Sequence, residues 1–583
     1  MISQSQFYEG RGSSTLQSDV PAGRRGSENA LSWRYCLAAL VGYGTIAVVF
    51  FWPLLVHFGT HLYSQDQFNW PGKGGDEFSF LWMYWWVDKA IAEGRHILFC
   101  DWVFPPTGAN LALRSIPFLP ILVTYPIGRI FGPVVGNNVM VLLMVIGGAW
   151  AYFIFCVRGL SVRPLAAFIA GVLFGFSPYF VWKAGIQYNL MGSCFWGPVL
   201  GITFYVYSHD RFTLRNGLLF AAFLWATFWT SLVEFFMLGV VLATMVLLWE
   251  IAYAIRGNFR WHTRAGFYAP SLIGLASLVL LHYAPANQSL TVPLIEGVSF
   301  KDLIPAAKLS IFSYLGLPNR TEIVVPHSMA WLALFGLVAL WRKRCRYLLP
   351  LGVLLAVTLS FPVDLFGLPH MIVRALPLGT GFRNMGRFFP FFLFFLGIPA
   401  AFGVEFLLDR RNEAAVARTG PLLRIKWKWT VLAVLLVFGA LEYYPYLLKV
   451  TPVRTLPLDR QTREALDRNS FLLVVPGGWN QTAYDSYQMG LDMPSVYIRT
   501  WDHMSYKAAR ERAERFPAVY DGYRHQMSDP YEPNVKAPDF FQELRTLHVK
   551  YVLLVDGASS KPFEGKGRVL VKTNHELLME LKN

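Results

Sequence analysis

Two adjacent carboxylates, Asp76 and Glu77, lie between the apolar run 33–58 and the aromatic run Phe78–Trp86. A carboxylate at a membrane surface can act as a general base if a hydroxyl group comes within hydrogen-bond reach. Asp76 is the preferred base, with Glu77 as its helper or as the competing candidate. The alternative is that Asp76 only caps the helix that starts there, since an acid is favourable at a helix N-terminus. The second acid favours chemistry, because one cap does not require two carboxylates.

A pair of arginines could stabilise an anion near those acids. Arg383 and Arg387 are spaced i, i+4 at the start of an apolar run, so a helix would place both on one face. Guanidinium groups suit bidentate contacts with phosphate. His370, just upstream, is a weaker candidate for the same phosphate. The alternative is that the arginines anchor the helix end at the membrane interface.

Other polar and aromatic residues lie in or beside apolar segments. Glu234 is surrounded by apolar residues, and an acid at membrane depth is costly and usually functional. It could bind a metal, orient an acceptor or pair with an arginine. Trp82 and Trp85 could stack on a ligand, but that run is more typical of an aromatic belt along an interfacial amphipathic helix.

Composition indicates what kind of scaffold holds these residues. The chain has 583 residues, of which 54% are hydrophobic and only 15% are charged, which predicts an α-helical polytopic membrane protein. The net charge of +15 resides in short basic clusters between apolar runs, which is typical of cytoplasmic loops and argues against nucleic-acid binding. The five cysteines have no metal-ligand spacing, so no zinc site is predicted.

About eleven membrane spans are predicted from runs near the roughly twenty residues that a bilayer requires. They lie at 33–57, 136–157, 164–181, 190–207, 214–230, 232–255, 267–285, 325–341, 347–366, 387–408 and 428–447. The segment 117–131 contains three prolines, which should spoil a regular helix. If it does not span, every strongly basic loop falls on the side of the N-terminus, as the positive-inside rule favours.

That topology divides the chain into three parts. Residues 1–32 form a polar cytoplasmic N-terminus and residues 33–448 a membrane region, whose long first external loop covers 58–135. Residues 449–583 follow outside the membrane, where Phe471–Val475, Val549–Val555 and 569–571 have the length of strands and Phe540–Leu547 that of a helix. We therefore expect a small extracytoplasmic α/β domain there.

Several short motifs, in this order along the chain, resemble the GT-C superfamily of integral membrane glycosyltransferases. This superfamily includes protein O-mannosyltransferases, aminoarabinose transferases and oligosaccharyltransferases, and the nearest likeness is to uncharacterised bacterial members. The residues concerned are Gly75-Asp76-Glu77-Phe78, Phe104–Leu111, the Pro-rich piece from Pro117, Ser177-Pro178-Tyr179 and Gly381–Phe388. The resemblance implies an acidic motif and interfacial helices in the first external loop.

The resemblance also implies a reaction. Its members transfer a sugar from a polyprenyl-phosphate or diphosphate donor with inversion, here to an unknown glycan, lipid or protein acceptor outside the bacterial inner membrane. Lys183, Gln187 and Asn189 could bind sugar hydroxyls, or they could only solvate a short turn. The second external loop, 183–189, has no acid, unlike in the metal-binding oligosaccharyltransferases, so a divalent Mg²⁺ or Mn²⁺ cofactor is possible but not implied. The alternatives are a transporter or flippase of a lipid-linked saccharide, or a non-catalytic membrane scaffold.

Overall fold

The computed structural model describes most of the membrane region and much of the C-terminal region. The described residues are 33–64, 76–111, 116–255, 261–278, 325–342, 348–363, 385–408, 424–443, 450–453, 456, 458–476, 482–496, 511–512, 514–520, 534–555 and 558–582. The predictions for residues 1–32, Arg383 and His370 concern residues outside these ranges.

All eleven predicted runs contain helix in their described parts, and the helices Asp76–Glu93 and Phe118–Phe131 lie outside those runs, in segment 58–135. Fifteen α-helices of five or more residues are described from Trp33 to Tyr443. They are α1 (Trp33–Phe50), α2 (Trp52–Val56), α3 (Asp76–Glu93), α4 (Phe118–Phe131), α5 (Pro133–Ile154), α6 (Pro164–Gly175), α7 (Pro178–Ala184), α8 (Ser193–His209), α9 (Leu214–Thr230), α10 (Leu232–Ile255), α11 (Trp261–Leu278), α12 (His327–Arg342), α13 (Leu348–Val363), α14 (Phe389–Leu408) and α15 (Arg424–Tyr443). A π-helical turn, Phe155–Gly159, extends α5. Short 3₁₀ turns lie at Tyr188–Leu190 and Met385–Phe388.

Within the described residues, five helices are long and apolar enough to cross a membrane, or six if α6 and α7 form one broken span. These two helices meet at an angle of 50°. The break has a local cause: Pro178 disfavours a helical conformation at Ser177, whose ψ is 154°. The membrane character is confirmed, while the number of spans stays a prediction.

The expectation that prolines would spoil a regular helix at 117–131 is wrong. The structure has a 14-residue helix there, α4, with Pro126 inside it. Pro120 lies in the first turn, where its missing N–H is not needed. Gly132 ends the helix with φ +96°, a conformation that strains other residues. At about 1.5 Å per residue α4 is too short to cross the roughly 30 Å of hydrocarbon.

The C-terminal region contains a four-stranded sheet. Its strands are Phe471–Pro476, Val549–Val555, Gly567–Lys572 and Glu576–Leu581, and the first two are parallel while the last two form an antiparallel hairpin beside them. Three of the strands and the helix Phe540–Thr546 confirm the sequence prediction. The last strand and the helices Arg460–Ala465 and Thr482–Leu491 were missed.

The C-terminal region is joined to the first loop by a small sheet. Strand His61–Tyr63 pairs antiparallel with strand Val450–Pro452, so that Leu62 lies opposite Thr451. Helix Thr482–Leu491 also packs against α3, and Tyr520 donates a hydrogen bond to the carbonyl of Pro105 at 2.7 Å. The first loop and the C-terminal region therefore build one surface together.

The expectation of an amphipathic α3 lying in the headgroup layer is wrong. Every residue from Glu77 to Ala90 is buried, so the helix has no solvent- or lipid-facing stripe over that length. It packs between α4 and α5 on one side and the helix Thr482–Leu491 on the other. A sequence pattern cannot reveal cover that comes from the far end of the chain.

Candidate active site

Asp76 is the first residue of α3, and its side chain is partly exposed. Its Oδ2 accepts a hydrogen bond of 3.1 Å from Nε2 of Gln187. Gln187 in turn accepts a 2.6 Å hydrogen bond at Oε1 from Nζ of Lys183. The structure thus brings together two predicted site residues, Asp76 and Gln187, and adds a lysine behind them.

The local backbone sets the position of Gln187. Helix α7 ends at Ala184, and the N–H groups of Ile186 and Gln187 return to the carbonyl of Lys183 at 3.1 and 2.9 Å. This closed turn holds the side chains of Lys183 and Gln187 on the same side, as an i, i+4 pair on a helix would lie. The hydrogen-bonded turn therefore positions the amide group that contacts Asp76.

Glu77 points away from this contact and into the protein. Its side chain is fully buried, and Oε1 accepts a hydrogen bond of 2.6 Å from Oγ of Ser64, which follows the first strand. The two neighbouring acids therefore occupy different environments. Only Asp76 combines partial exposure with a held oxygen, which is what a base needs to meet a hydroxyl group.

Glu234 lies at the start of α10 and is fully buried. Its Oε2 accepts a hydrogen bond from the backbone N–H of Gly192 at 2.9 Å, and its Oε1 accepts one from Nε1 of Trp196 at 3.1 Å. Both carboxylate oxygens are thus engaged by the first turn of α8. Of the three roles expected from the sequence, pairing with an arginine is not what these two bonds show.

Arg387 lies in the 3₁₀ turn that leads into α14, and its side chain is partly exposed. The ring of Phe389, two residues on, is 6.0 Å from the ring of Tyr179. That tyrosine ring is in turn 5.7 Å from Nζ of Lys183. Arg387 therefore lies at the same end of the helix bundle as Lys183 and Gln187.

The remaining aromatic and amide candidates have no contact with Asp76 that the described structure shows. Nε1 of Trp82 donates a 2.8 Å hydrogen bond to Oε1 of Gln488 in the C-terminal region, so this side chain belongs to the packing over α3. Trp85 packs against Trp102, with ring centroids 6.1 Å apart. Asn189 is partly exposed in the turn before α8, and no hydrogen-bond partner of its side chain is found among the described residues.

The contacts of Lys183 and Glu234 are the features that sequence reasoning missed. The spacing of Lys183 and Gln187 is a weak signal for their contact, whereas nothing in the sequence pairs Glu234 with Gly192. No group of three or more His, Cys, Asp or Glu side chains that could hold a metal ion is found within the described ranges.

No family model matches the sequence, and no curated protein matches it at a significant level. Solved structures do match its fold. ArnT from Cupriavidus metallidurans, bound to undecaprenyl phosphate, is 13% identical, with a TM-score of 0.51 and 93% of this chain and 97% of that chain covered. The mycobacterial arabinofuranosyltransferase AftD is 14% identical, with a TM-score of 0.55, and 95% of this chain aligns with 42% of the longer AftD chain. The oligosaccharyltransferase of Archaeoglobus fulgidus aligns at 12% identity and a TM-score of 0.48 over 89% of this chain and 68% of its own.

Proposed function

Because the chain has the fold of the GT-C glycosyltransferases, we propose that it is an inverting glycosyltransferase of a bacterial inner membrane. In this proposal it moves a sugar from a polyprenyl-phosphate-linked donor to an acceptor hydroxyl group on the extracytoplasmic side. ArnT, which shares the fold along nearly its whole length, is described in complex with a polyprenyl phosphate. The donor class rests on that likeness, while the sugar and the acceptor are left open.

The observation that carries the proposal is the state of Asp76. Its carboxylate is partly exposed at one end of the helix bundle, and one of its oxygens is held by Gln187 at 3.1 Å. A hydrogen bond from a neighbouring amide helps to fix the plane of a carboxylate, and partial exposure gives an acceptor hydroxyl group access to it. This is the arrangement of a general base that is positioned before its substrate arrives.

The proposed step is a single displacement at the anomeric carbon. Asp76 takes the proton of the acceptor hydroxyl group as the hydroxyl oxygen forms its bond to the anomeric carbon. The bond between that carbon and the phosphate oxygen breaks on the opposite face, and the electron pair leaves with the polyprenyl phosphate. Attack opposite the leaving group inverts the anomeric configuration.

The leaving phosphate needs positive charge on the face opposite Asp76. Arg387 lies at the same end of the bundle as the Gln187 turn, and we assign to it, together with Arg383 and His370, the role of binding the donor phosphate. An arginine in this role contributes only if it meets the phosphate and not the acceptor. The donor and acceptor dependences of a variant therefore distinguish this role from a purely structural one.

The extracytoplasmic side is inferred from charge. Nε of Arg163, at the start of α6, lies 3.8 Å from Oε1 of Glu405 near the end of α14, which marks the end of the bundle opposite to Arg387. The predicted basic loops, such as Arg158 to Arg163, belong to that opposite end. By the positive-inside rule it faces the cytoplasm, so Asp76 faces outward.

The proposal is tested on protein purified from its own membranes into lipid nanodiscs. Native mass spectrometry should detect a bound polyprenyl phosphate or its sugar conjugate. Incubation with lipid extracted from the same membranes should consume a lipid-linked sugar and release the polyprenyl phosphate. If the extract is unchanged and the protein instead moves a labelled lipid-linked saccharide between leaflets, the protein is a flippase and the proposal is wrong.

A further inference from the structure

Lys183 is a cation that the fold buries completely at the end of α7. Burial of a charged group is costly unless neighbouring groups compensate for it. Three features of the described structure do so: the C-terminal end of a helix, the ring of Tyr179 at 5.7 Å, and the 2.6 Å hydrogen bond to Oε1 of Gln187. The lysine does not need to lie here to make the turn, since its backbone carbonyl alone closes it.

We propose that Lys183 is a positioning residue that acts on Asp76 through Gln187. This role rests on the proposed function, because it gives Asp76 the part of the base. The amide of glutamine can present either its oxygen or its nitrogen to a neighbour. An ammonium group only donates hydrogen bonds, so Lys183 requires the amide oxygen on its own side.

The consequence of that requirement reaches Asp76. With Oε1 turned to Lys183, the NH₂ group of Gln187 must face Oδ2 of Asp76, at 3.1 Å. A carboxylate only accepts hydrogen bonds, so the whole chain Lys183–Gln187–Asp76 has a single sense. Without the lysine the amide oxygen loses its donor, so Gln187 is held at one end only and can move away from the carboxylate. The lysine therefore holds the carboxylate plane without touching the substrate.

The role proposed for Lys183 differs from that of a lysine that binds the donor phosphate directly. A phosphate ligand acts on donor affinity, and its loss raises the KM for the donor. A positioning residue acts on the base, so its loss lowers kcat and leaves the donor KM close to its starting value. The effect should also shrink once Gln187 has been removed, because the contact through which the lysine acts on Asp76 is then lost.

The test is a double-mutant cycle of Lys183→Met and Gln187→Leu in the purified enzyme. Each single variant should lower kcat by roughly 10-fold to 100-fold, the size expected for loss of a hydrogen bond to a charged group. The double variant should lose no more than the worse single variant. Lys89→Met serves as a control for removal of a buried cation, since Lys89 bonds Glu93 and Asp492 instead, and it should leave kcat unchanged.

Two further measurements keep every outcome decisive. If Lys183→Met does not fold, Lys183→Gln, which retains a hydrogen-bond donor, takes its place in the cycle. Gln187→Glu preserves the contact with Lys183 but sets a carboxylate against Asp76, so it should lower kcat while the unfolding temperature stays near that of the wild type.

Additive losses in kcat, or a rise in donor KM that persists in the Gln187→Leu background, overturn the role of Lys183 and leave the proposed function intact. A wild-type enzyme that transfers no sugar from any polyprenyl-phosphate donor overturns the proposed function, and the positioning role with it. A thermal-unfolding cycle on the same variants then reports whether Lys183 and Gln187 are coupled in the fold alone.

Discussion

Asp76 and Glu234 are two acids at helix starts, and the short segment from Gln187 to Trp196 serves them both in different ways. Asp76 is partly exposed and receives one hydrogen bond from the Gln187 side chain. Glu234 is fully buried and receives one N–H on each oxygen, from Gly192 and Trp196. The first acid is accessible from outside the protein, whereas the second is enclosed within it.

The comparison shows how an acid near a membrane is to be judged. Both carboxylates lie beside apolar segments, where a charged group is costly, so this cost does not distinguish them. Only the number of donors that meet each carboxylate, and whether a substrate can reach it, separates a base from a structural cap. Glu234 ties α10 to the start of α8, so its contribution is to the fold that carries Gln187.

The largest effect is expected from Asp76→Asn. The amide cannot accept the acceptor proton, so kcat for sugar transfer should fall by about 10²-fold to 10⁴-fold, the usual contribution of a general base. Its oxygen can still accept the hydrogen bond from Gln187, so the unfolding temperature should change little. Turnover by quantified product release, together with thermal unfolding in detergent, measures both.

The matched control for that variant is Asp88→Asn on the same helix. Burial raises the pKa of Asp88, while Arg129, 3.4 Å away, opposes that rise. Asp88 lies outside the site, so sugar transfer should persist in Asp88→Asn. Full activity in Asp76→Asn would show that Asp76 is not the general base. The proposed difference in role between Asp76 and Glu234 would then be wrong.

The next largest effect is expected when Arg383 and Arg387 are both replaced by Gln. If these guanidinium groups hold the donor phosphate, the KM for the donor should rise by roughly 10-fold to 100-fold, because hydrogen bonds to charged groups are strong. The KM for the acceptor should stay nearly constant. Initial rates with each substrate varied in turn provide the measurement, and equal rises in both values would indicate a structural role.

A smaller effect, and one of a different kind, is expected from Glu234→Gln. One carboxylate oxygen becomes an NH₂ group that faces an N–H of Gly192 or Trp196, so one donor loses its acceptor. The free energy of unfolding should fall by about 1–3 kcal/mol. Thermal unfolding measures this loss, and kcat per folded molecule should change far less than in Asp76→Asn. A collapse of kcat without loss of stability would place Glu234 in the chemistry after all.

The smallest effect is expected from Gln488→Leu. This residue accepts from Trp82 and donates to the carbonyl of Trp102 at 3.0 Å, so it fastens the C-terminal region over the helix that begins with Asp76. Its loss should lower the free energy of unfolding by about 1–3 kcal/mol but leave kcat nearly unchanged, with the exposed Gln461→Leu as the neutral control. An equal loss in both variants would show that the C-terminal region does not support α3 through Gln488.

Much of the fold could be predicted from the sequence, because apolar runs of membrane length and short apolar strands are local patterns. The helix starting at Asp76 and ending at Glu93, and the strand Val549–Val555, are examples in which the run itself defines the element. The pairing of His61–Tyr63 with Val450–Pro452 could not be predicted. Those short strands carry no pattern that identifies a partner so far along the chain.

The site could be predicted only in part. Asp76 and Gln187 were both predicted as site residues, but for separate reasons. Their contact depends on the direction of the bend between α6 and α7, which the sequence does not give. The sequence predicts that Trp82 contacts a ligand or lies at the membrane interface. In the structure its partner is Gln488, which no local pattern identifies. Asp76 is partly exposed and Glu77 is buried because the two side chains point in different directions. A sequence does not record side-chain direction.

The cover of α3 has a consequence for how the protein is made. Trp82 and Gln488, which bond each other, are 406 positions apart. At synthesis rates of about 5–20 residues per second, the helix that begins with Asp76 emerges roughly 20 to 80 s before the glutamine that caps it. During that interval α3 can pack against α4 and α5 but lacks the cover of the C-terminal region, so a ribosome that stalls late leaves a chain in which that side of α3 is uncovered. Completion of the C-terminal region is therefore what buries the remaining apolar surface of this helix.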